Sequence, residues 1–153
     1  MAIRVTDIEK STVFYVKVFG ARVLTNPFVV EGEFAEAMIE GPPGARFKIR
    51  QLAFTSGVIE LFQFLQPSHP AMPQHATTSS ILHMGFQVDD VDAAAARVKQ
   101  GGGRLLHPVT KWGESKLVFC ADPDGNVIEL ADASIHDLIQ ATIRAFPEAN
   151  ATS

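Results

Sequence analysis

A single acid interrupts an otherwise apolar strand at two places along the chain, within the same four residues. Val-Ile-Glu-Leu occurs at 58–61 and again at 127–130. Each copy follows a glycine-containing turn, Ser56-Gly57 in the first case and Asp122-Pro123-Asp124-Gly125-Asn126 in the second. Glu60 and Glu129 therefore hold the same position of a duplicated strand. The repeat reaches further. Val5-Thr6-Asp7-Ile8 matches Val88-Asp89-Asp90-Val91, and each opens a helix-like stretch, 8–19 closed by Gly20 and 91–100 closed by Gly101-Gly102-Gly103. Asp7 and Asp90 suit the N-cap, where a short carboxylate accepts from the free amides of the first turn. Glycine just past the last turn is the usual helix stop. A similar strand start follows each helix, Ala21-Arg22-Val23-Leu24 and Gly103-Arg104-Leu105-Leu106. Each half reads strand, helix, strand, strand, strand, and self-similarity of this kind outranks any local assignment.

Outside the repeat, Ile135, Leu138, Ile139, Ile143 and Phe146 recur at helical spacing before Pro147, with Ser134 and Asp137 as a capping pair. This predicts a helix over 134–146 that covers core or a subunit interface. The stretch 66–80, rich in Pro, Ser, Thr and His, reads as a surface linker. The stretch 26–46, with Glu31, Glu33, Glu36 and Glu40 and the turn Gly41-Pro42-Pro43-Gly44, reads as a long loop, either functional or a solvated acidic excursion. The expected organisation is one domain over 1–153: a first module at 1–66, a linker at 67–79, a second module at 80–132 and the helix at 134–146.

Parity then sorts the side chains, because alternate strand residues share a face. With Ser56-Gly57 as a two-residue hairpin loop, Ala53 sits opposite Glu60, Gln51 opposite Phe62, Ile49 opposite Phe64 and Arg50 opposite Gln63. Leu52 and Phe54 then meet Leu61 and Ile59 on the other, helix-covered face. In the second half, Ile128 and Leu130 face the core with Leu117 and Phe119. Each sheet is left with one face carrying a glutamate among apolar neighbours. Carboxylates so placed are costly unless paired, and a cation shared between the two copies resolves that cost. His83 strengthens the reading, since His83, Gly85 and Gln87 share one face of the strand that opens the second half. One imidazole and two carboxylates make a partial ligand set for a divalent metal with open positions for substrate.

Composition narrows the partners. The 153 residues are 46% hydrophobic and 20% charged, the profile of one globular domain with a sizeable core. A net charge of −4 and a pI near 5.7 argue against nucleic acid and anionic membrane as partners. No apolar run approaches the roughly 18 residues of a membrane span. The start Met1-Ala2-Ile3-Arg4 lacks signal-peptide character, and the single Cys120 forms no internal disulfide, which suits the cytoplasm.

These features resemble the vicinal oxygen chelate superfamily, the glyoxalase and bleomycin-resistance type. The resembling residues are Val5-Thr6-Asp7-Ile8-Glu9-Lys10-Ser11, Phe14-Tyr15 and Phe19-Gly20 in the first half. In the second they are the run from His83 to Asp92 and the run from Phe119 through Asp122-Pro123-Asp124-Gly125-Asn126 to Leu130. The resemblance covers nearly all of 1–132, with the approach to 47–54 closest to the epimerase-like branch. It implies an α+β fold in which two tandem βαβββ modules form a U-shaped, cupped sheet, with the C-terminal helix added here. It also implies homodimers. Its ligands come from the first and last strands of each module, so that Glu60, His83 and Glu129 bind a divalent metal ion of the zinc, nickel, cobalt, manganese or iron kind. Val5 laid on Val88 puts the counterpart of His83 one residue before Met1, so the usual first ligand is expected to be missing. His69, His75 and His107 are the alternatives, each read more readily as a surface or packing residue.

The chemistry implied is a metal-stabilised enolate or enediolate of a small oxygenated metabolite, with Glu129 or Glu60 moving a proton as catalytic base. Phe62 and Phe64 would wall the substrate, Gln51 and Gln87 would orient its oxygens, and Arg4 has the parity to reach the same face. The expected activity is that of an isomerase, epimerase or lyase. A metal-free, drug-sequestering binding protein is the alternative, against which the two acids weigh. A ring-cleaving dioxygenase is disfavoured, because it needs a histidine at the missing position.

Overall fold

The computed structural model describes residues 1–68 and 81–149. The linker expected at 67–79 and the candidates His69 and His75 lie mostly or wholly outside these residues. The first half contains β1 (Ala2–Val5), α1 (Ile8–Phe19), β2 (Arg22–Val23), β3 (Phe28–Val30), α2 (Glu33–Met38), β4 (Arg46–Phe54) and β5 (Gly57–Gln66). The second contains β6 (Met84–Gln87), α3 (Val91–Gln100), β7 (Arg104–Leu105), β8 (Thr110–Trp112), β9 (Ser115–Ala121) and β10 (Val127–Ala131), followed by α4 (Ile135–Ala145).

The two sheets repeat one topology. The orders are β1-β5-β4-β2 and β6-β10-β9-β7, with β3 also pairing β4 and β8 also pairing β9. The first strand of each half runs parallel to the last, and the other pairs are antiparallel. Ala2 stands opposite Glu60 and Gly85 opposite Glu129, so the register itself equates Ala2 with Gly85. His83, two residues before Gly85, therefore has its counterpart immediately before Met1.

The helices form where their caps direct. Asp7 accepts from the Glu9 and Lys10 amides, and Gly20 ends α1 at φ 67, a left-handed angle that glycine adopts without strain. Asp90 caps α3 through the Ala93 amide. Both helices lie on the same side of their sheets and share one core. Phe14, Tyr15 and Val18 of α1 and Val91, Ala94 and Val98 of α3 pack with Leu52, Leu61, Ile128 and Leu130. Glycine is required where the chain enters β7, because a β carbon on Gly103 would stand 2.5 Å from Ala121 O.

The halves are stitched by polar bonds from the turn before β10. Asp124 accepts from the Thr6 amide at 2.9 Å and the Ser11 hydroxyl at 3.1 Å, and Asn126 donates to Arg4 O at 3.1 Å. Asp122 is buried. It accepts from the Tyr15 hydroxyl and from the amides of Asp124 and Asn126, each at 2.9 Å. Burial pushes its carboxyl above the usual carboxylate range, against the opposing pull of the Asn126 and Tyr15 hydrogen bonds. Tyr15, buried beside it, is pushed well above the usual phenol value. Burial also raises the Cys120 thiol to about 12.

One expectation is corrected. The stretch 26–46 is not a bare loop. β3 pairs with β4, and α2 packs Ala35 onto Phe47, Ile49 and Phe62 on the face of the first sheet away from α1. Its acids turn to solvent and to local partners, Glu31 to Arg46 at 2.9 Å and Glu36 to the Gly44 amide at 2.7 Å. The C-terminal helix forms with the expected cap, Ser134 accepting from the Asp137 amide. Within one chain its apolar stripe is only partly covered. Ile135 is 74% and Ile139 49% exposed, and the helix leans on the β8–β9 turn through Ala141 and the Trp112–Phe146 ring contact.

Candidate functional site

Each glutamate lies in the last strand of its half between two buried neighbours, Ile59 and Leu61 for Glu60, Ile128 and Leu130 for Glu129. Strand parity turns both carboxylates to the faces opposite α1 and α3, half-buried.

The partners across the strands differ from the expected ones. In the first sheet Gln51, not Ala53, pairs with Glu60, Ile49 pairs with Phe62, Phe47 with Phe64 and Arg50 with Leu61. The hairpin loop is Thr55-Ser56, because Gly57 already pairs with Phe54. The slip is two residues, so every side chain keeps its expected face. Arg50 lies on the helix side, where it binds Glu9 at 2.7 Å and the Thr12 hydroxyl at 2.9 Å. In the second sheet Phe119 pairs with Glu129, and the buried residues are Val118 and Cys120. Leu117 and Phe119 thus belong to the open face and not to the core. Parity counted from Glu129 through the turn would have placed them there.

The register has direct chemical effects. Gln51 Nε2 donates to Glu60 Oε1 at 2.9 Å. His83, just ahead of β6, sets Nε2 3.1 Å from Glu129 Oε2. Their side chains are 37% and 21% exposed, so the pair is reachable from solvent. The Phe119 ring stands edge-on to the His83 ring at 5.1 Å and lies 5.8 Å from that of His107. Phe119 is the site residue that sequence reasoning missed, and His107, one of the alternative ligands, is instead a packing residue whose Nε2 accepts from the Phe119 amide.

The nitrogen–oxygen separation of the His83–Glu129 pair fits two ligands of one cation. Bonds of about 2.0–2.2 Å to imidazole and carboxylate place adjacent donors roughly 3 Å apart. The donor types suit a divalent transition metal. Glu60 does not join them within one chain: among the described residues, no three His, Cys, Asp or Glu side chains converge closely enough to hold a cation. One chain thus presents a His–Glu pair on the second sheet and a Gln-supported glutamate on the first.

The expected substrate contacts fall in different surroundings. Phe62 is buried beneath α2, with its ring 5.3 Å from Phe47. Phe64 is half-buried, and the Arg4 guanidinium lies 5.8 Å from its ring centre. Gln87 is exposed, on the rim of an open groove of about 1170 Å³ that His83, Phe86, Phe54 and Val58 also line. A smaller recess of about 270 Å³ lies between Met1, Arg4, Leu82, His83 and Val127. His83 borders both spaces, while neither glutamate lines either of them.

Comparison with known proteins agrees with the fold. The model of the Glyoxalase/Bleomycin resistance protein/Dioxygenase superfamily matches residues 1–130. The chain is 26% identical over 133 residues to the lactoylglutathione lyase of Salmonella typhimurium, spanning 86% of this chain and 88% of that protein. It is 30% identical over 132 residues to the Escherichia coli K12 protein YaeR, spanning 85% and 91%. Among solved structures, a glyoxalase family protein from Bacillus cereus shares the fold with a TM-score of 0.75, 23% identity and coverage of 86% and 89%. The fosfomycin resistance protein FosX from Listeria monocytogenes, solved with Mn(II) and sulfate, does so with a TM-score of 0.59, 16% identity and coverage of 88% and 90%.

Proposed function

Because this chain belongs to the Glyoxalase/Bleomycin resistance protein/Dioxygenase superfamily, we propose that it is a metal-dependent isomerase, epimerase or lyase acting on a small oxygenated metabolite. The observation that carries this reading is the 3.1 Å His83–Glu129 pair on an open sheet face, with Glu60 at the equivalent place of the other sheet. Relatives named lactoylglutathione lyase support lyase or isomerase chemistry, and the FosX structure with Mn(II) supports a divalent cation. Glu60, His83 and Glu129 are its ligands.

The reading includes a homodimer. Since Glu60 stays apart from the His83–Glu129 pair within one chain, a second copy supplies the missing carboxylate. The exposed α4 stripe gives such a dimer apolar surface to bury. The unit that dimerises is a single domain, with modules over 1–66 and 80–132. A cytoplasmic setting accords with its buried, unpaired Cys120.

Glu60, His83 and Glu129 would hold a divalent cation, which would supply Lewis-acid polarisation of the substrate and acidify the C–H next to its carbonyl. The two glutamates then divide the work by what holds them. Gln51 fixes one oxygen of Glu60, as suits a ligand. Glu129 faces Phe119, which offers it no donor across the strands, so His83 is its neighbour there and its carboxylate serves as the base that takes the proton. Return of that proton to the neighbouring carbon isomerises, and delivery of a solvent proton to the other face of the same carbon epimerises. Gln87 orients substrate oxygens from the groove rim, and the half-buried Phe64 walls the far side.

The test is proton exchange in deuterated water, with the metal-loaded protein given 2-oxo acids, α-hydroxy ketones and acyl thioesters. Exchange at the carbon next to the carbonyl in one class, lost in Glu129→Gln, is expected. A second reading is favoured by the groove of about 1170 Å³, which neither glutamate lines: a metal-free protein that sequesters an aromatic, drug-like molecule there. Tight binding of such a ligand without any exchange would replace the enzyme by the binding protein.

A further inference from the structure

The outer strand of each sheet is broken at the same place, and the break is bridged in the same way. In the first sheet β2 and β3 are separated by a stretch containing Pro27, and the last regular bond runs from the Leu24 amide to Gln51 O at 2.9 Å. A regular antiparallel pair would return the Gln51 amide to Leu24 O. That amide donates instead to the Thr25 hydroxyl at 3.1 Å. In the second sheet β7 and β8 are separated by a stretch containing Pro108, and the Leu106 amide donates to Phe119 O at 2.8 Å. The Phe119 amide donates to His107 Nε2 at 3.1 Å. Because Nε2 accepts, the neutral His107 ring carries its proton on Nδ1, which lies 2.7 Å from Pro108 O and donates to it.

Gln51 and Phe119 are the residues that face Glu60 and Glu129 across the strands. We propose that Thr25 and His107 are a duplicated pair of positioning residues. Each replaces a lost ladder acceptor with its side chain, and so fixes the strand residue that faces a site glutamate. A proline lies in each break, Pro27 or Pro108, and its fixed φ turns the outer strand away from the ladder, taking the regular carbonyl acceptor out of reach. Without the side-chain acceptor, the Gln51 and Phe119 amides would be unpaired at the point where strand position sets the Gln51–Glu60 bond and the Phe119–His83 ring contact. This inference rests on the reading of Glu60, His83 and Glu129 as metal ligands.

The experiment compares Thr25→Val, which is isosteric but removes the hydroxyl, with Thr25→Ser, and His107→Leu with His107→Gln, whose side-chain carbonyl can accept. Thr110→Val serves as the control, because its hydroxyl bonds Pro108 O in the same break without touching Phe119. Two quantities are read on the full chain: hydrogen exchange of the Gln51 and Phe119 amides, and cobalt affinity by absorbance titration. The Val and Leu variants should speed exchange of the amide they release by about tenfold or more. They should weaken cobalt roughly three- to tenfold, less than the 10–100-fold carried by a direct partner of a ligand. Thr25→Ser, His107→Gln and Thr110→Val should stay within about threefold of wild type in both. Wild type that binds cobalt, with all five variants binding alike, overturns this inference alone. Wild type that binds no cobalt overturns it together with the proposed function. Should His107→Leu fail to fold, the Thr25 pair decides.

Discussion

Gln51 and Phe119 occupy the same place in their sheets, each directly across from a glutamate of the duplicated strand. The duplication placed two identical acids and then gave them unlike neighbours. Gln51 donates to Glu60 at 2.9 Å, while Phe119 leaves Glu129 to His83. Two copies of one strand thereby acquire two chemical characters.

Substitutions at the acids should separate these characters. Glu129→Gln removes the proposed base with almost no change of shape. It should lower carbon–deuterium exchange by roughly 10²–10⁴-fold. Glu60→Gln should chiefly weaken metal binding, with exchange partly restored at high metal concentration. Rates at saturating metal check both; equal, unrecoverable losses would remove the division of labour.

Gln51→Leu offers a finer test of the same point. It removes the donor to Glu60 while leaving the carboxylate in place, and an outer partner of a ligand typically supports 10–100-fold in metal affinity. Calorimetric titration should show a loss of that order, with an unfolding midpoint within a few degrees of wild type.

The clasp between the halves should be pH-dependent. Asp122 has its carboxyl raised by burial, and the Tyr15 hydroxyl opposes that rise. Tyr15→Phe removes the opposing bond, so the Asp122 value climbs further. A group whose folded value lies above its unfolded value favours folding most when protonated. The extra penalty in the variant therefore applies above that range and fades as pH falls through it. Urea unfolding should show a loss of about 1–3 kcal/mol at pH 7 and a smaller one near pH 4. An equal loss at both values would mean that Asp122 does not sense the hydroxyl.

Cys120 should be inert in the folded protein. It is fully buried, and its thiol is held up to about 12, so little thiolate exists at pH 8. Alkylation by iodoacetamide should require unfolding and follow the unfolding rate.

Much of this was legible in the chain. The caps Asp7, Asp90 and Ser134 and the stops Gly20 and Gly101 set the helices, because those signals are local and each acts through hydrogen bonds within one turn. The open faces of Glu60 and Glu129 followed from parity, which survives a two-residue slip of register. What parity alone leaves open is the partner across the strand, so Gln51 opposite Glu60 emerged only with the fold. Phe119 was assigned to the core because a large aromatic fits either face. α2 was hidden because its four neighbouring acids outweighed Ala35 and Ile39, the residues that anchor it. The roles of Thr25 and His107 depend on where an outer strand breaks, which no local pattern marks.

The most direct measurement is cobalt titration of the purified chain and its Glu60→Gln, His83→Ala and Glu129→Gln variants, followed by absorbance and sedimentation. The account predicts one ion per chain in a dimer, with affinity reduced by about tenfold or more in each variant. Wild type that binds no cobalt at millimolar concentration, or binds it equally well after all three substitutions, would contradict it.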